Sequence, residues 1–178
     1  MSIFAPAAVK APSLHALLDH ELQDLYDAEF QILEALPKMI EQVTDKDLKH
    51  ALSHHMKETE THVTRLEKIF SLLQENPKRM TCDGMKGLIK EGEHVLKGDM
   101  DPTVKDDAII GAAQRVEHYE MAGYGTARQH AKNLGFKDIA DILNETLQEE
   151  GAADHKLSEI ARKMHQGMPH AKRTTVNG

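Results

Sequence analysis

The sequence predicts an all-α protein, a four-helix bundle whose long central crossover carries a short extra helix. Three observations predict it. Ala, Leu, Glu and Lys are plentiful while β-branched runs are rare, a composition that favours helix throughout. Apolar residues return at alternating steps of three and four, the spacing of a bundle seam. Two short links and one long one separate the periodic segments, so the short links make antiparallel hairpins and the long one crosses the bundle.

The first long helix is expected from about Ser13, a capping residue, to Gln42, with a stripe of Leu18, Leu22, Leu25, Glu29, Ile32, Leu36 and Met39. The second runs from about Asp45 to Gln74 on Leu48, Leu52, His55, Thr59, His62, Leu66, Ile69 and Leu73, and Asn76-Pro77 stops it. Residues Asp83 to Leu96 read as the shorter amphipathic helix of the crossover, ending before Gly98. Asp101-Pro102 opens the third long helix, a cap followed by proline at the first helical position. Its stripe is Ile109, Ala113, Glu117, Glu120, Tyr124, Ala127 and Ala131. Gly135 ends it and Asp138 caps the fourth, which reads Ile139, Leu143, Thr146, Glu150, Ala153, Leu157, Ile160 and Met164.

With 178 residues the chain suffices for one domain with a sizeable core, placed over residues 13–166. Residues 1–12 read as a flexible arm rather than a signal peptide, and residues 167–178 as a polar, basic, flexible tail. A net charge of -7 argues against nucleic acid as a partner, and no apolar stretch is long enough to span a membrane. The single Cys82 excludes an internal disulfide or a thiolate metal cluster and fits the reducing cytoplasm.

The chemistry lies where the stripes break. Glu29, Glu58, Glu120 and Glu150 place a carboxylate near the middle of each long helix, and a carboxylate in an apolar core is costly unless paired or bound to a metal. Val43–Thr44 lies midway between Glu29 and Glu58, and Gly135 midway between Glu120 and Glu150. Residues equidistant from a hairpin turn face each other, so each hairpin brings its two glutamates to one level, about 20 Å from the turn. Helix spacing adds His62 four residues after Glu58, Asp154 four after Glu150, and Glu117 three before Glu120. This carboxylate-rich set with one or two imidazoles suits two ions of Fe or Mn, with Zn as the alternative.

Blander readings cover the other polar residues. A single stripe glutamate is usually a solvated seam residue; only the coincidence of four at one level argues for a metal. His55, one turn off that level, reads as a hydrogen-bonded core histidine or a support for a ligand rather than a ligand. Glu149 reads as solvent-facing, although a slip of one position would exchange it with Glu150. Tyr26, Tyr119 and Tyr124 read as packing, with a hydrogen bond from Tyr124 beside Glu120 the lesser reading. His54, His118, His130 and His155 read as exposed, and Lys46-Asp47 and Lys105-Asp106-Asp107 as solvated helix starts. No Gly-rich phosphate loop and no nucleophile–His–Asp set stands out.

The segments LQDLYDAEFQILEALPKM, HHMKETETHVTRLEKIF, MKGLIKEGEHVL, AAQRVEHYEMAGYGTARQHAKNLG and LNETLQEEGAADHKLSEIA resemble the YciE/YciF family of bacterial stress-associated proteins, within the ferritin-like superfamily. The resemblance covers nearly all of residues 14–162. It implies a ferritin-like, rubrerythrin-like bundle with a crossover, a dinuclear iron or manganese centre, and a homodimer. The ligands it implies are Glu29, Glu58, Glu120 and Glu150, with Glu117 and Asp154 as additions. The wider superfamily carries Glu-x-x-His on two helices. Here the second helix has histidine at the fourth position after Glu58, and the fourth helix has Asp154 where an imidazole would stand.

The expected function is therefore a cytoplasmic metal-binding stress protein whose carboxylate-bridged centre reacts with peroxide or dioxygen, or oxidises Fe(II). The alternative is a non-catalytic structural or interaction protein, working through its surface on an unidentified protein partner, with a vestigial or stabilising metal. Iron storage would require a hollow shell, which one sequence does not reveal.

Overall fold

The computed structural model describes residues 9–166, so the tail over 167–178 and all but residues 9–12 of the N-terminal arm lie outside the described residues. Five helices form, with no strand among the described residues: α1 (Leu14–Gln42), α2 (Lys46–Leu72), α3 (Asp83–Lys97), α4 (Pro102–Asn133) and α5 (Lys137–Met164). Side chains cap them as their residue types dictate. Ser13 accepts the Ala16 N–H at 3.1 Å, Asp45 that of Leu48 at 2.9 Å, and Asp101 that of Thr103 at 3.0 Å.

Two boundaries differ from expectation. α2 ends at Leu72, before Asn76-Pro77, because Gln74 turns left-handed (φ 58°) and the Glu75 N–H closes on the Phe70 carbonyl at 2.9 Å. At the next hairpin Gly135 (φ 80°) makes the same closure, the Phe136 N–H reaching the Ala131 carbonyl at 2.9 Å. The chain is then already aimed into α5. Phe136 occupies the cap position without a side-chain bond, and Asp138 sits inside the first turn, complementing the helix dipole rather than capping.

α1 pairs with α2 and α4 with α5; across the bundle α2 meets α5 and α1 meets α4, while α3 lies on α1 and α4. Asp106 fixes the direction of the crossover. Its buried carboxylate accepts the Thr44 N–H (3.0 Å), the Thr44 hydroxyl (2.7 Å) and the Asp45 N–H (2.8 Å), so α2 and α4 start at the same end and run parallel. The expectation of a solvated helix start is corrected for this residue. Asp27 does the corresponding work for α3: it accepts the Cys82 N–H at 2.8 Å and Arg79 Nε at 2.9 Å, pinning the end of the crossover loop to α1.

The apolar interior is in two parts. One end packs Leu18, Leu22, Leu25, Leu66, Ile69, Phe70, Ala127 and Leu143; the other packs Ile32, Leu36, Leu48, Leu52, Ile109, Ala113, Leu157 and Ile160. Between them every long helix contributes buried polar side chains: Glu29 from α1, His55, Thr59 and His62 from α2, Glu117 and Glu120 from α4, and Thr146 and Glu150 from α5. A polar layer thus crosses the middle of a bundle whose ends are held by hydrophobic burial.

Candidate metal centre

Glu29, Glu117, Glu120 and Glu150 are buried, with His55 and His62 among them. Two sets of potential ligand atoms converge. His55, Glu117, Glu120 and Glu150 form one set and Glu29, His62 and Glu150 the other, each with its atoms mutually within 4.8 Å. Glu150 belongs to both.

His62 is held from behind. Its Nε2 lies 2.9 Å from Glu149 Oε2, and Arg65 grips the same carboxylate with two nitrogens, Nη1 on Oε2 and Nη2 on Oε1 at 2.9 Å. With Nε2 donating outward, Nδ1 faces Glu150 Oε1 at 2.9 Å and Glu29 Oε1 at 3.5 Å. A carboxylate behind an imidazole fixes its orientation and tautomer for metal binding on the other nitrogen. The Tyr124 hydroxyl donates to the same Glu29 Oε1. Tyr124 therefore supports Glu29, not the Glu120 from which the sequence placed it four residues away.

The electrostatics test whether these residues fit a metal. Both oxygens of Glu120, one oxygen each of Glu29, Glu117 and Glu150, and both nitrogens of His55 are buried without a hydrogen-bond partner. Buried acceptors in that number are not tolerated in a finished core. Burial pushes Glu120 and Glu117 well above the usual carboxylate range, and the neighbouring Glu150 pushes them further. Burial also raises Glu29, against the pull of His62. Glu150 is held below its ordinary value: burial would raise it, but His62 and His55 prevail. His62 is pushed up to about 10, Glu150 and Glu29 overcoming the burial that would lower it. Divalent cations would satisfy both the charge and the orphaned lone pairs, so the donor set fits a metal.

Of the sequence-predicted ligands, Glu29, Glu117, Glu120, Glu150 and His62 come together in this layer. Glu58 and Asp154 do not. Glu58 is 27% exposed and its carboxylate faces His54 (3.1 Å) and His55 (3.7 Å). Its flank position, about 60° around the helix from His55 at 100° per residue, turns it out of the interior, and Thr59 occupies the inward slot at the level of Glu29. Asp154, 23% exposed, is taken up at the α4–α5 seam by Gln114 Nε2 (2.9 Å) and His118 Nε2 (3.2 Å). His55, expected to support a ligand rather than be one, stands in the layer, 3.4 Å from Glu117. Its signal was its spacing: seven residues before His62, it shares that face. Glu149, expected in solvent, is engaged by Arg65 and His62.

An all-helical bundle with acidic side chains from several helices meeting in its centre defines a ferritin-like protein. Comparison with known proteins specifies it further. Residues 13–168 match the family described as a domain of unknown function, DUF892. Protein YciF of Escherichia coli K12 is 41% identical over 143 residues, 80% of this chain and 86% of the relative. The crystal structure of the E. coli stress protein YciF superposes with a TM-score of 0.85 at 36% identity, over 88% of this chain and 99% of that one. YcfI of Rhodopseudomonas palustris, provisionally described as a structural protein, gives 0.82 at 43% identity, over 85% and 97%. A two-domain Anabaena variabilis protein with DJ-1/ThiJ/PfpI-like and ferritin-like domains shares the fold alone, at 15% identity and a TM-score of 0.60 over 94% of this chain and 42% of that one. The chain belongs to the DUF892 family, the family of YciF.

Proposed function

We propose that this is a cytoplasmic ferritin-like stress protein whose layer of buried carboxylates and imidazoles holds two divalent metal ions, Fe or Mn, and reacts with peroxide or dioxygen or oxidises Fe(II). The observation that carries it is the sharing of Glu150 between two convergent ligand sets. Four buried carboxylates with two neutral imidazoles also match the charge of two divalent ions. When bound, a redox-active pair supplies electrons to the oxidant. The protein's part is to hold and orient the ions: Glu29 and His62 would hold one, His55, Glu117 and Glu120 would hold the other, and Glu150 would be available to both. The Arg65–Glu149 pair holds the imidazole of His62, and Tyr124 steadies Glu29. The apolar ends of the bundle keep bulk water from the layer.

Elemental analysis of protein loaded anaerobically with Fe(II) is expected to give about two ions per chain, followed by an absorbance change on adding peroxide. A Glu29→Ala/Glu120→Ala double variant is expected to lose both. No bound metal in the parent protein ends the reading. A homodimer belongs to this proposal through the family resemblance and is read directly on a sizing column. A second reading, a structural protein with a merely stabilising metal, is favoured by the description of YcfI. It requires that metal-loaded protein show no reaction with peroxide or dioxygen.

A further inference from the structure

Glu58 was expected among the ligands, and its actual position suggests another role. Along one side of α2, His54, Glu58 and His55 lead step by step from surface to interior. The His54 side chain is 63% exposed, and its Nδ1 lies 3.1 Å from Glu58 Oε2. The same oxygen lies 3.7 Å from Nδ1 of buried His55, whose Nε2 lies 3.4 Å from Glu117 Oε1. Neither His55 nitrogen has a hydrogen-bond partner, and one Glu117 oxygen also lacks one. These residues, with His50, line a cavity of about 280 Å³ between α2 and α5. Its rim is therefore imidazole and carboxylate, and its inner wall is two residues of the buried layer. Lys156 stands on the α5 side, its ammonium 3.8 Å from Glu159. A second, narrower cavity also ends on His55 and Glu117, but Ile32, Leu36, Met39, Leu88 and Ile89 line it, and it offers a hydrated cation little.

We propose that His54 and Glu58, at the mouth of the α2–α5 cavity, form an outer landing site for divalent cations, and that His55 passes them to Glu117 and the buried centre. The inference rests on the metal-centre reading above. A landing site must bind well enough to capture and loosely enough to release. Glu58 and His54 meet that condition, because both remain partly hydrated and do not close a cage of three ligands. His55 faces both ways, one nitrogen toward Glu58 and the other toward Glu117, so an ion can change partners without leaving protein ligands. Glu58 also places a negative charge at an opening with apolar walls (Ala51, Leu52, Leu157), an arrangement that focuses the field and raises the capture rate.

A residue used only in passage speeds binding and release equally and leaves the equilibrium constant alone, whereas a ligand of the centre changes the equilibrium. The test follows Zn(II) transfer from a weak fluorescent indicator to the metal-free full chain by stopped flow, release to a chelator, and final stoichiometry by elemental analysis. For Glu58→Gln and for His54→Ala/Glu58→Gln, uptake and release are both expected to slow by about tenfold or more, with Kd and stoichiometry as in the parent. Uptake by the parent should slow with added salt, and Lys156→Gln should speed it. Thermal melts of the metal-free variants confirm that these surface changes leave the fold intact. Unchanged rates in both variants overturn the landing site while leaving the centre standing. Faster release with a weaker Kd makes Glu58 a ligand of the centre and also overturns it. A parent protein that takes up no metal ends both this inference and the reading beneath it.

Discussion

At the scale of the residue, the site separates what spacing determines from what it leaves open. Counting from the turns places Glu29 and the middle of α2 at one height, and the buried layer forms there. Height is not azimuth. Glu58 and Thr59 are neighbours at that height, but 100° apart on the helix, and only Thr59 points inward. Choosing the acidic residue over the stripe residue puts a partly exposed carboxylate among the expected ligands. His55, which the stripe itself contains, lies one turn off that level, yet it stands in the layer with Glu117. The grip of Arg65 on Glu149 was not legible, because it joins α2 to α5 and depends on how two hairpins dock. That grip gives a prediction. Glu149→Gln leaves an acceptor for His62 but removes the charge that fixes the imidazole and balances Arg65. Metal affinity is expected to fall about ten- to a hundredfold with stoichiometry retained, measured by calorimetric titration with Mn(II). An unchanged Kd would show that His62 needs no support.

At the scale of the element, helix starts were readable because Ser13, Asp45 and Asp101 announce them with their own side chains. Stops were less so: Gln74 turns left-handed where the sequence offered Asn76-Pro77. Asp106 departs from the expectation because a charge near the start of a helix normally faces water, and nothing local reveals a distant turn that needs its acceptor. Its carboxylate satisfies two backbone N–H groups and a hydroxyl of the α1–α2 turn. Asp106→Ala orphans those donors and unpins the crossover from the first hairpin. It is expected to cost about 2–3 kcal/mol in denaturant unfolding, and Asp106→Asn, which keeps one acceptor, about half as much. A loss within error would mean that the turn holds its shape without α4.

At the scale of the whole molecule, the fold was legible and its cost was not. Two hairpins and a crossover follow from periodicity, and the two apolar ends of the interior follow from the stripes. The intervening layer sets the protein's response to pH through the balance of all its charges. In the metal-free protein Glu117 and Glu120 are raised well above their ordinary value of 4.5. A raised carboxyl costs nothing below the unfolded value and costs progressively more as pH climbs through the folded one. His62, raised from 6.5 to about 10, acts in the same direction at higher pH: its partnership with Glu150 and Glu29 is complete below 6.5 and is lost as pH approaches 10. Glu149, Glu58 and Asp27 are lowered, so what they contribute is lost only as pH falls below the ordinary carboxylate range. Metal-free protein should therefore be most stable near about pH 5 and weaken toward about pH 8, by up to roughly 1.4 kcal/mol per pH unit for each retained proton. Metal reverses the slope, because binding requires ionised carboxylates and neutral His62 and releases their protons, so stabilisation by Mn(II) should grow over the same interval. Unfolding midpoints with chelator and with excess Mn(II), taken at several pH values across that range, should diverge as pH rises. A chelated protein whose stability is flat or increases with pH would show that the buried layer carries no uncompensated charge, and the reason for a metal there would disappear.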